Sequence, residues 1–187
     1  MILSGKTVLF LGSSVTYGSA SGGVSFADIM AERCGVRMIK EAVSGTTLAD
    51  IDESSYVSRL KRVDKEQKVD LFICQLSTND PNRGVPISET EKAIRFIAEY
   101  VKEYFSCPIL FYTGTHFESP KYAEMVELLD SLGKEYGFYI LDLWNSEEMR
   151  AVSPEDYARY MRDPIHPTLE GYRAWWTPKF IDICESI

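Results

Sequence analysis

The feature that most constrains this chain is an apolar run near its start that ends in a glycine and two serines. Residues 7–18 read TVLFLGSSVTYG. A short run rich in valine, leucine and phenylalanine is typical of a buried strand. Ligands and catalytic groups collect at the carboxyl ends of strands in a parallel sheet, where backbone N–H groups can face an incoming oxyanion. The turn is therefore a candidate position for a nucleophilic serine, which needs a base in order to act.

The chain contains only two histidines that could supply this base. His166 follows Asp163 by three residues, in a turn whose backbone is restricted by Pro164 and Pro167. This spacing lets the carboxylate approach Nδ1 of the imidazole, which fixes the tautomer and leaves Nε2 free to take a proton from a serine. His116 is the rival base, but it lacks a close aspartate in the sequence and is otherwise a substrate contact or a loop residue. A serine of the first turn with Asp163 and His166 makes a coherent triad.

Four short blocks of the chain resemble the landmarks of the SGNH (GDSL-type) hydrolase family. They occur in the family's order and are residues 12–16, 44–47, 77–80 and 163–167. Each block is weakly specific by itself, whereas four in the right order and spacing are specific together. The resemblance implies a hydrolase of ester bonds that uses a serine nucleophile.

The resemblance also implies roles for individual residues. Ser14 matches the nucleophile of the first block, and Asp163 and His166 match the other two members of the triad. The backbone N–H groups of Ser14 and Gly45 and the side-chain amide of Asn79 match the donors of an oxyanion hole, which acyl transfer requires. From the residues alone, a role in shaping a turn is the plainer interpretation of both Gly45 and Asn79.

Two positions depart from the family pattern. Ser13 stands where the first block has an aspartate, which changes the hydrogen bonds available to the nucleophile turn. Ser77 stands where the third block has a glycine, and we expect its side chain to narrow the approach to Asn79. Ser13, Asp80 and His116 are further candidates for substrate contact, and stabilisation of a loop is the alternative role of Asp80.

Length, charge and cysteine usage limit the class of protein. A chain of 187 residues suits a single domain, which we place over residues 1–187. The net charge of −8 and the lack of a basic cluster argue against nucleic-acid binding. The four cysteines are scattered and form no Cys-x-x-Cys pair, so we expect free thiols and no metal. Ester hydrolysis by a serine triad needs no cofactor, so we expect none. No apolar run approaches the roughly 20 residues that span a bilayer, and no secretory leader precedes the first strand, so we expect a cytoplasmic protein without a membrane span.

Five apolar runs alternate with helical segments along the chain. This alternation predicts an α/β protein, a three-layer α/β/α sandwich around a five-stranded parallel sheet. The family resemblance implies a flavodoxin-like arrangement with strand order 2-1-3-4-5. The strands are expected at residues 7–11, 36–43, 69–76, 108–113 and 138–143.

The intervening segments show several helix signals. Helices are expected over residues 25–33, within 48–67, from a capping box at Ser88–Glu91 to Phe105, from Ser119 to Gly137, and after Thr168 with a kink at Pro178. The aromatic residues between positions 144 and 162 either line a substrate pocket or cover the edge of the core.

The function that we expect is hydrolysis of an ester by acyl transfer. A small domain without a long apolar lid favours short acyl groups, foremost acetyl, on a small-molecule or carbohydrate ester. Lysophospholipases and thioesterases of the same family are alternatives, as is a catalytically silent carbohydrate-binding relative. A nucleotide binder is a weaker alternative, because residues 12–23 are rich in glycine and serine but lack the Gly-Lys-Ser/Thr ending of a P-loop. The sequence leaves the oligomeric state open.

Overall fold

A parallel sheet of five strands forms the centre of the computed structural model, which describes residues 1–187. The strands are β1 (Thr7–Gly12), β2 (Arg37–Ala42), β3 (Leu71–Gln75), β4 (Ile109–Tyr112) and β5 (Tyr139–Leu141). Their order is β2-β1-β3-β4-β5, and every neighbouring pair is parallel. The predicted fold class is confirmed. Four of the strands are shorter than the apolar runs that predicted them, because hydrogen-bonded pairing ends before the apolar residues do.

Helices cover both faces of this sheet. They are α1 (Ser14–Tyr17), α2 (Phe26–Cys34), α3 (Tyr56–Leu60), α4 (Asn79–Asn82), α5 (Ile87–Tyr104), α6 (Pro120–Tyr136), α7 (Glu147–Arg150), α8 (Pro154–Tyr160), α9 (Leu169–Gly171) and α10 (Thr177–Ser186). A 3₁₀ turn at Ser19–Ser21 and a π-helical turn at Tyr172–Trp176 complete the helical segments. None of the helices combines the length and the apolar character that crossing a membrane requires.

The sheet separates two hydrophobic cores. Successive residues of a strand point to opposite faces, so in β1 Leu9 and Leu11 join one core while Val8 and Phe10 join the other. Apolar residues of α5 and α6 complete the first core, and those of α2 and α10 complete the second. Every residue of β1 and β3 is buried. The carboxyl ends of these central strands therefore provide firmly held positions for a site.

The capping box predicted at Ser88 is wrong. Helix α5 begins at Ile87, and its N-cap is Pro86, which supplies no side-chain hydrogen bond. The extended backbone of Pro86 (φ −61°, ψ 141°) lets its carbonyl oxygen accept the N–H of Glu89, so the helix starts before Ser88. A capping box is instead present at α2, where Ser25 and Asp28 satisfy each other's backbone N–H groups.

Two other helical predictions are realised in altered form. The region 48–67 holds only the short α3, which Ser55 caps by accepting the N–H of Ser58. Near the chain end, Thr168 caps α9 as expected, and the predicted disturbance at Pro178 takes the form of the π-helical turn that precedes α10. Proline lacks an N–H, and a change of helical pitch just before it accommodates the missing bond.

Candidate active site

Ser14 opens the short helix α1 directly after strand β1. Glycine is required at the preceding position 12, because an added Cβ would lie 1.7 Å from Oγ1 of Thr16. The helix ends at Gly18, whose φ of +90° suits glycine. This tight strand-to-helix turn presents Ser14 at the carboxyl edge of the sheet. Its Oγ lies 2.8 Å from Nε2 of His166, although 152 positions separate the two residues.

The second contact of the His166 ring is to Asp163. Nδ1 lies 2.8 Å from Oδ2 and 3.0 Å from Oδ1 of that carboxylate. Oδ1 also accepts the N–H groups of Ile165 at 2.8 Å and of His166 at 2.9 Å. Partial burial acts to raise the pKa of Asp163, but these backbone bonds and the imidazole together hold that pKa below its usual value. The carboxylate is thus kept ionised beside the ring.

Two hydrogen bonds help to hold the loop of His166 near Ser14. The N–H of Arg162 donates to the carbonyl oxygen of His166 at 2.8 Å, which closes the loop on itself. Farther along, the buried hydroxyl of Tyr172 donates to the carbonyl oxygen of Val15 at 2.6 Å. This bond ties the π-helical turn that begins at Tyr172 to the turn of the serine.

Gln75, the last residue of β3, holds the nucleophile turn through hydrogen bonds. Its Oε1 accepts the N–H of Ser13 at 2.9 Å and the hydroxyl of Thr16 at 3.0 Å. The hydroxyl of Ser13 also points at this oxygen, at 3.3 Å. Since Ser13 has no exposed surface, its predicted contact with substrate is replaced by a role inside the turn.

The three expected oxyanion donors stand at the ends of three adjacent strands. Ser14 follows β1 and lies in the first turn of α1, where an N–H has no acceptor within the helix. Gly45 follows β2 with φ +80°, and its N–H donates to no group of the protein. Asn79 follows β3 and donates one Nδ2 hydrogen to the carbonyl oxygen of Thr46 at 2.9 Å, which leaves the second hydrogen available. The arrangement provides N–H groups for a negatively charged oxygen.

Ser77 and Asp80 serve the same loops from inside the protein. Ser77 is fully buried, and its hydroxyl accepts the N–H of Asn79 at 3.1 Å. The expectation that its side chain narrows the approach to Asn79 is therefore wrong. Asp80 is also fully buried, and its two carboxylate oxygens accept the N–H groups of Leu48 and Ala49 at 2.8 and 3.0 Å. Of its two predicted roles, the structure gives Asp80 the loop-stabilising one rather than a substrate contact.

His116 lies on the wall of the cleft that contains the His166 loop. The cleft has a volume of about 680 Å³ and is lined by Asn82, His116, Phe117, Glu118, Ser119, Tyr157 and residues 163–166. The His116 ring packs 4.7 Å from the ring of Trp144. Its exposure on this wall is compatible with a substrate contact, while the hydrogen bond to Ser14 comes from His166. Of the aromatic segment 144–162, Tyr157 lines the cleft, whereas Trp144 and Met161 are buried in the cores.

Three residues near the site, Gln75, Tyr172 and Arg59, are not among those that the sequence predicts. Gln75 has a usable signal, since it is a polar residue that ends an otherwise apolar strand. Tyr172 lies in an apolar stripe, which does not indicate its hydrogen bond to Val15. Arg59 is one of many charged residues in its region of the sequence, yet it is only 4% exposed.

Comparison with known proteins gives a family match that contains the candidate site. A model of the GDSL-like lipase/acylhydrolase family matches residues 10–174. None of the curated proteins matches the chain. Among solved structures, a protein from Lactobacillus plantarum has a TM-score of 0.83 at 20% identity, with 98% of each chain covered.

Two further solved structures carry descriptions of an activity. An acetylxylan esterase from Geobacillus stearothermophilus has a TM-score of 0.74 at 19% identity, covering 97% of this chain and 95% of that one. A family two carbohydrate esterase from Clostridium thermocellum, in complex with cellohexaose, has a TM-score of 0.76 at 13% identity, covering 98% of this chain and 64% of that one. At these identities the likeness establishes the fold alone.

Proposed function

Because the chain belongs to the GDSL-like lipase/acylhydrolase family, we propose that it is a serine esterase for short acyl esters. One observation carries the proposal. Oγ of Ser14 lies 2.8 Å from Nε2 of His166, whose Nδ1 lies 2.8 Å from Oδ2 of Asp163. A nucleophile in contact with a base that is oriented by a carboxylate is the arrangement that activates serine.

The proposed reaction begins with a proton transfer. His166 takes the proton of Ser14 as Oγ attacks the ester carbonyl carbon, and Asp163 stabilises the imidazolium that results. His166 then gives the proton to the departing alcohol, which leaves an acyl group on Ser14. A water molecule, activated by the same imidazole, releases the acid and restores the serine.

The tetrahedral intermediate of each half-reaction carries a negatively charged oxygen. We assign the backbone N–H groups of Ser14 and Gly45 and the free Nδ2 hydrogen of Asn79 as its hydrogen-bond donors. Donors that are already oriented before the reaction are effective because they need no rearrangement when the charge forms. Thr46 and Ser77 orient Asn79 through the bonds to its side chain and its backbone.

We further propose that the alcohol part of the ester is a carbohydrate and that the acyl part is acetyl. The alcohol must sit on the His166 side of the site, because His166 protonates it. On that side lies the open cleft of about 680 Å³, which is lined by polar residues such as Asn82 and His116 together with apolar surface that includes the rings of Phe117 and Tyr157. Polar groups with aromatic surface suit a sugar ring better than an acyl chain. The acetylxylan esterase and the cellohexaose-bound carbohydrate esterase among the similar structures support this choice.

Steady-state kinetics tests the proposal. The wild-type protein is assayed with 4-nitrophenyl acetate, butyrate and octanoate and with acetylated xylo-oligosaccharides, and Ser14→Ala is assayed in parallel. We expect kcat/KM to be highest for acetyl esters and activity to disappear in Ser14→Ala. A maximum at octanoate would favour the lysophospholipase or thioesterase alternative. Binding of the oligosaccharide without any hydrolysis would favour the catalytically silent relative.

A further inference from the structure

Arg59 is a buried cation that faces carbonyl and hydroxyl oxygens. It lies in α3 and is only 4% exposed. Its guanidinium donates to the carbonyl oxygens of Gly12, Glu41 and Ser54 and to the hydroxyl of Thr46. It forms no salt bridge, so its charge is balanced by neutral oxygens. Burying an unpaired charge is costly, and this cost suggests a role beyond packing.

A single nitrogen of Arg59 joins the two loops that carry the backbone oxyanion donors. Nη2 donates to the carbonyl oxygen of Gly12 at 2.8 Å and to Oγ1 of Thr46 at 3.2 Å. Gly12 stands two residues before Ser14, and Thr46 stands directly after Gly45. The relative position of the two N–H groups therefore depends on this nitrogen.

On the serine side, Arg59 and Gln75 form hydrogen bonds to the two polar atoms of the Gly12–Ser13 peptide group. The carbonyl oxygen of Gly12 accepts from Arg59 at 2.8 Å, and the N–H of Ser13 donates to Gln75 at 2.9 Å. These atoms belong to the same planar peptide unit. Because this unit immediately precedes the one that bears the Ser14 N–H, the orientation of that donor is limited.

On the Gly45 side, Arg59 supports a closed turn. Oγ1 of Thr46 accepts from Arg59 and donates to the carbonyl oxygen of Val43 at 2.7 Å, which closes the turn containing Gly45. The carbonyl oxygen of Thr46 accepts from Asn79 at 2.9 Å. Arg59 is thus connected to Gly45 and Asn79 through Thr46, and to Ser14 through the carbonyl oxygen of Gly12.

We propose that Arg59 is a positioning residue of the oxyanion hole and that its buried positive charge stabilises the anion that forms there. The inference rests on the proposed function. A charge acts more strongly in a buried, low-dielectric site than in water, and the ring of Tyr56, 5.2 Å from the guanidinium carbon, helps to keep water away from it. Burial lowers the pKa of Arg59, but an arginine remains protonated at neutral pH.

The direct test compares substrate binding with binding of a transition-state analogue. Arg59→Gln and Arg59→Lys are assayed with 4-nitrophenyl acetate for kcat and KM, and with phenylboronic acid, which forms a tetrahedral anion on a reactive serine, for Ki. For Arg59→Gln we expect kcat to fall about 100-fold, near the lower end for loss of an oxyanion donor, with KM little changed. The boronate Ki should rise by a similar factor. Arg59→Lys keeps the positive charge but lacks the several N–H donors of the guanidinium. Its kcat and its boronate Ki should therefore lie between those of Arg59→Gln and the wild type.

A pair of neighbouring threonines provides a matched test that keeps Arg59 in place. The hydroxyl of Thr46 contacts the guanidinium, whereas the hydroxyl of the equally buried Thr47 donates to the carbonyl oxygen of Ala49 and does not touch it. Each valine variant therefore loses one hydroxyl-to-carbonyl bond of the loop. We expect Thr46→Val to raise the boronate Ki about two- to tenfold, the value of one hydrogen bond, and Thr47→Val to leave it unchanged. This pair decides the question if the Arg59 variants fail to fold, which thermal melting reveals.

The outcomes separate the two proposals. An active wild-type protein with a folded Arg59→Gln variant of equal kcat and boronate affinity overturns the role of Arg59 alone. The same holds if Thr46→Val and Thr47→Val give equal boronate affinities. A wild-type protein that neither hydrolyses the acetate nor binds the boronate overturns the proposed function, and the role of Arg59 with it.

Discussion

The hydroxyl of Tyr172 donates to the carbonyl oxygen of Val15 at 2.6 Å. The two residues lie 157 positions apart, and the bond is buried. Val15 follows Ser14, and Tyr172 begins the π-helical turn after the loop of His166. This hydrogen bond therefore links the segment of the proposed nucleophile to the segment of its proposed base, in addition to the contact between Ser14 and His166 themselves.

Removing this bond should affect both stability and activity. We expect Tyr172→Phe to lower the free energy of unfolding by about 1 kcal/mol, because the carbonyl oxygen of Val15 loses its buried partner. We also expect kcat to fall, since Ser14 and His166 are then less firmly aligned. Urea denaturation and nitrophenyl acetate hydrolysis measure the two effects. Tyr139→Phe is the matched control, because Tyr139 is 45% exposed. Equal behaviour of the two variants would contradict the linking role of Tyr172.

Replacing Ser13 by the aspartate of the family pattern should be harmful in this chain. The N–H and the hydroxyl of Ser13 both point at Oε1 of Gln75, and the residue is fully buried. A carboxylate there would be buried and would face Oε1 of Gln75, which is an acceptor and cannot donate to it. We expect Ser13→Asp to lower the free energy of unfolding by about 2 kcal/mol or more, whereas Ser13→Ala costs less because it leaves no buried charge.

Chemical denaturation of the two Ser13 variants checks this expectation. A Ser13→Asp protein as stable as the wild type would contradict this expectation.

Because the pKa of Asp163 is low in the folded protein, its contribution to the free energy of unfolding should depend on pH. Its pKa is held below the usual 3.8 by hydrogen bonds from Ile165 and His166, against the opposing effect of partial burial. A carboxyl group whose pKa is lower in the folded state contributes stability above its unfolded-state pKa and loses it as the pH falls through the folded-state value. The free energy of unfolding of the wild type, relative to Asp163→Asn, should therefore be larger at about pH 6 than at about pH 2.

Denaturation midpoints of both proteins across this pH range provide the measurement. The exposed pair Lys134 and Asp130 offers a control, because Asp130→Asn removes a carboxylate of a surface ion pair whose worth is small. A difference between wild type and Asp163→Asn that stayed constant with pH would contradict the assigned cause of the shift.

The fold was predictable because its signal is local and repeated. Buried strands such as β1 and β3 are continuous apolar runs, and the helix after Ser119 has clear start and stop residues. The N-cap predicted at Ser88 is wrong: Ser88 and Glu91 have the spacing of a capping box, but the extended backbone of Pro86 starts the helix earlier. A motif of side chains does not reveal which backbone carbonyl accepts the first helical bond.

The candidate site was predictable where its residues come in short blocks, as in residues 163–166. Its supporting residues were not. Arg59 acts through carbonyl oxygens of distant residues, and any sequence offers a carbonyl at every position, so no pattern of side chains marks such a contact. Ser13 and Asp80 were candidates for substrate contact because of their positions in the blocks, with loop stabilisation as the alternative for Asp80, and only the fold shows that both are buried. Burial of a polar loop residue depends on which loop covers it.

The proposed function requires that His166 activates Ser14 as a nucleophile. Fluorophosphonates react with activated serines, so labelling followed by peptide mass spectrometry detects this activation. We expect a stoichiometric adduct on Ser14 in the wild type and none in a folded His166→Ala variant. An adduct on Ser13 or another serine, an adduct that persists in His166→Ala, or no adduct at all would contradict it.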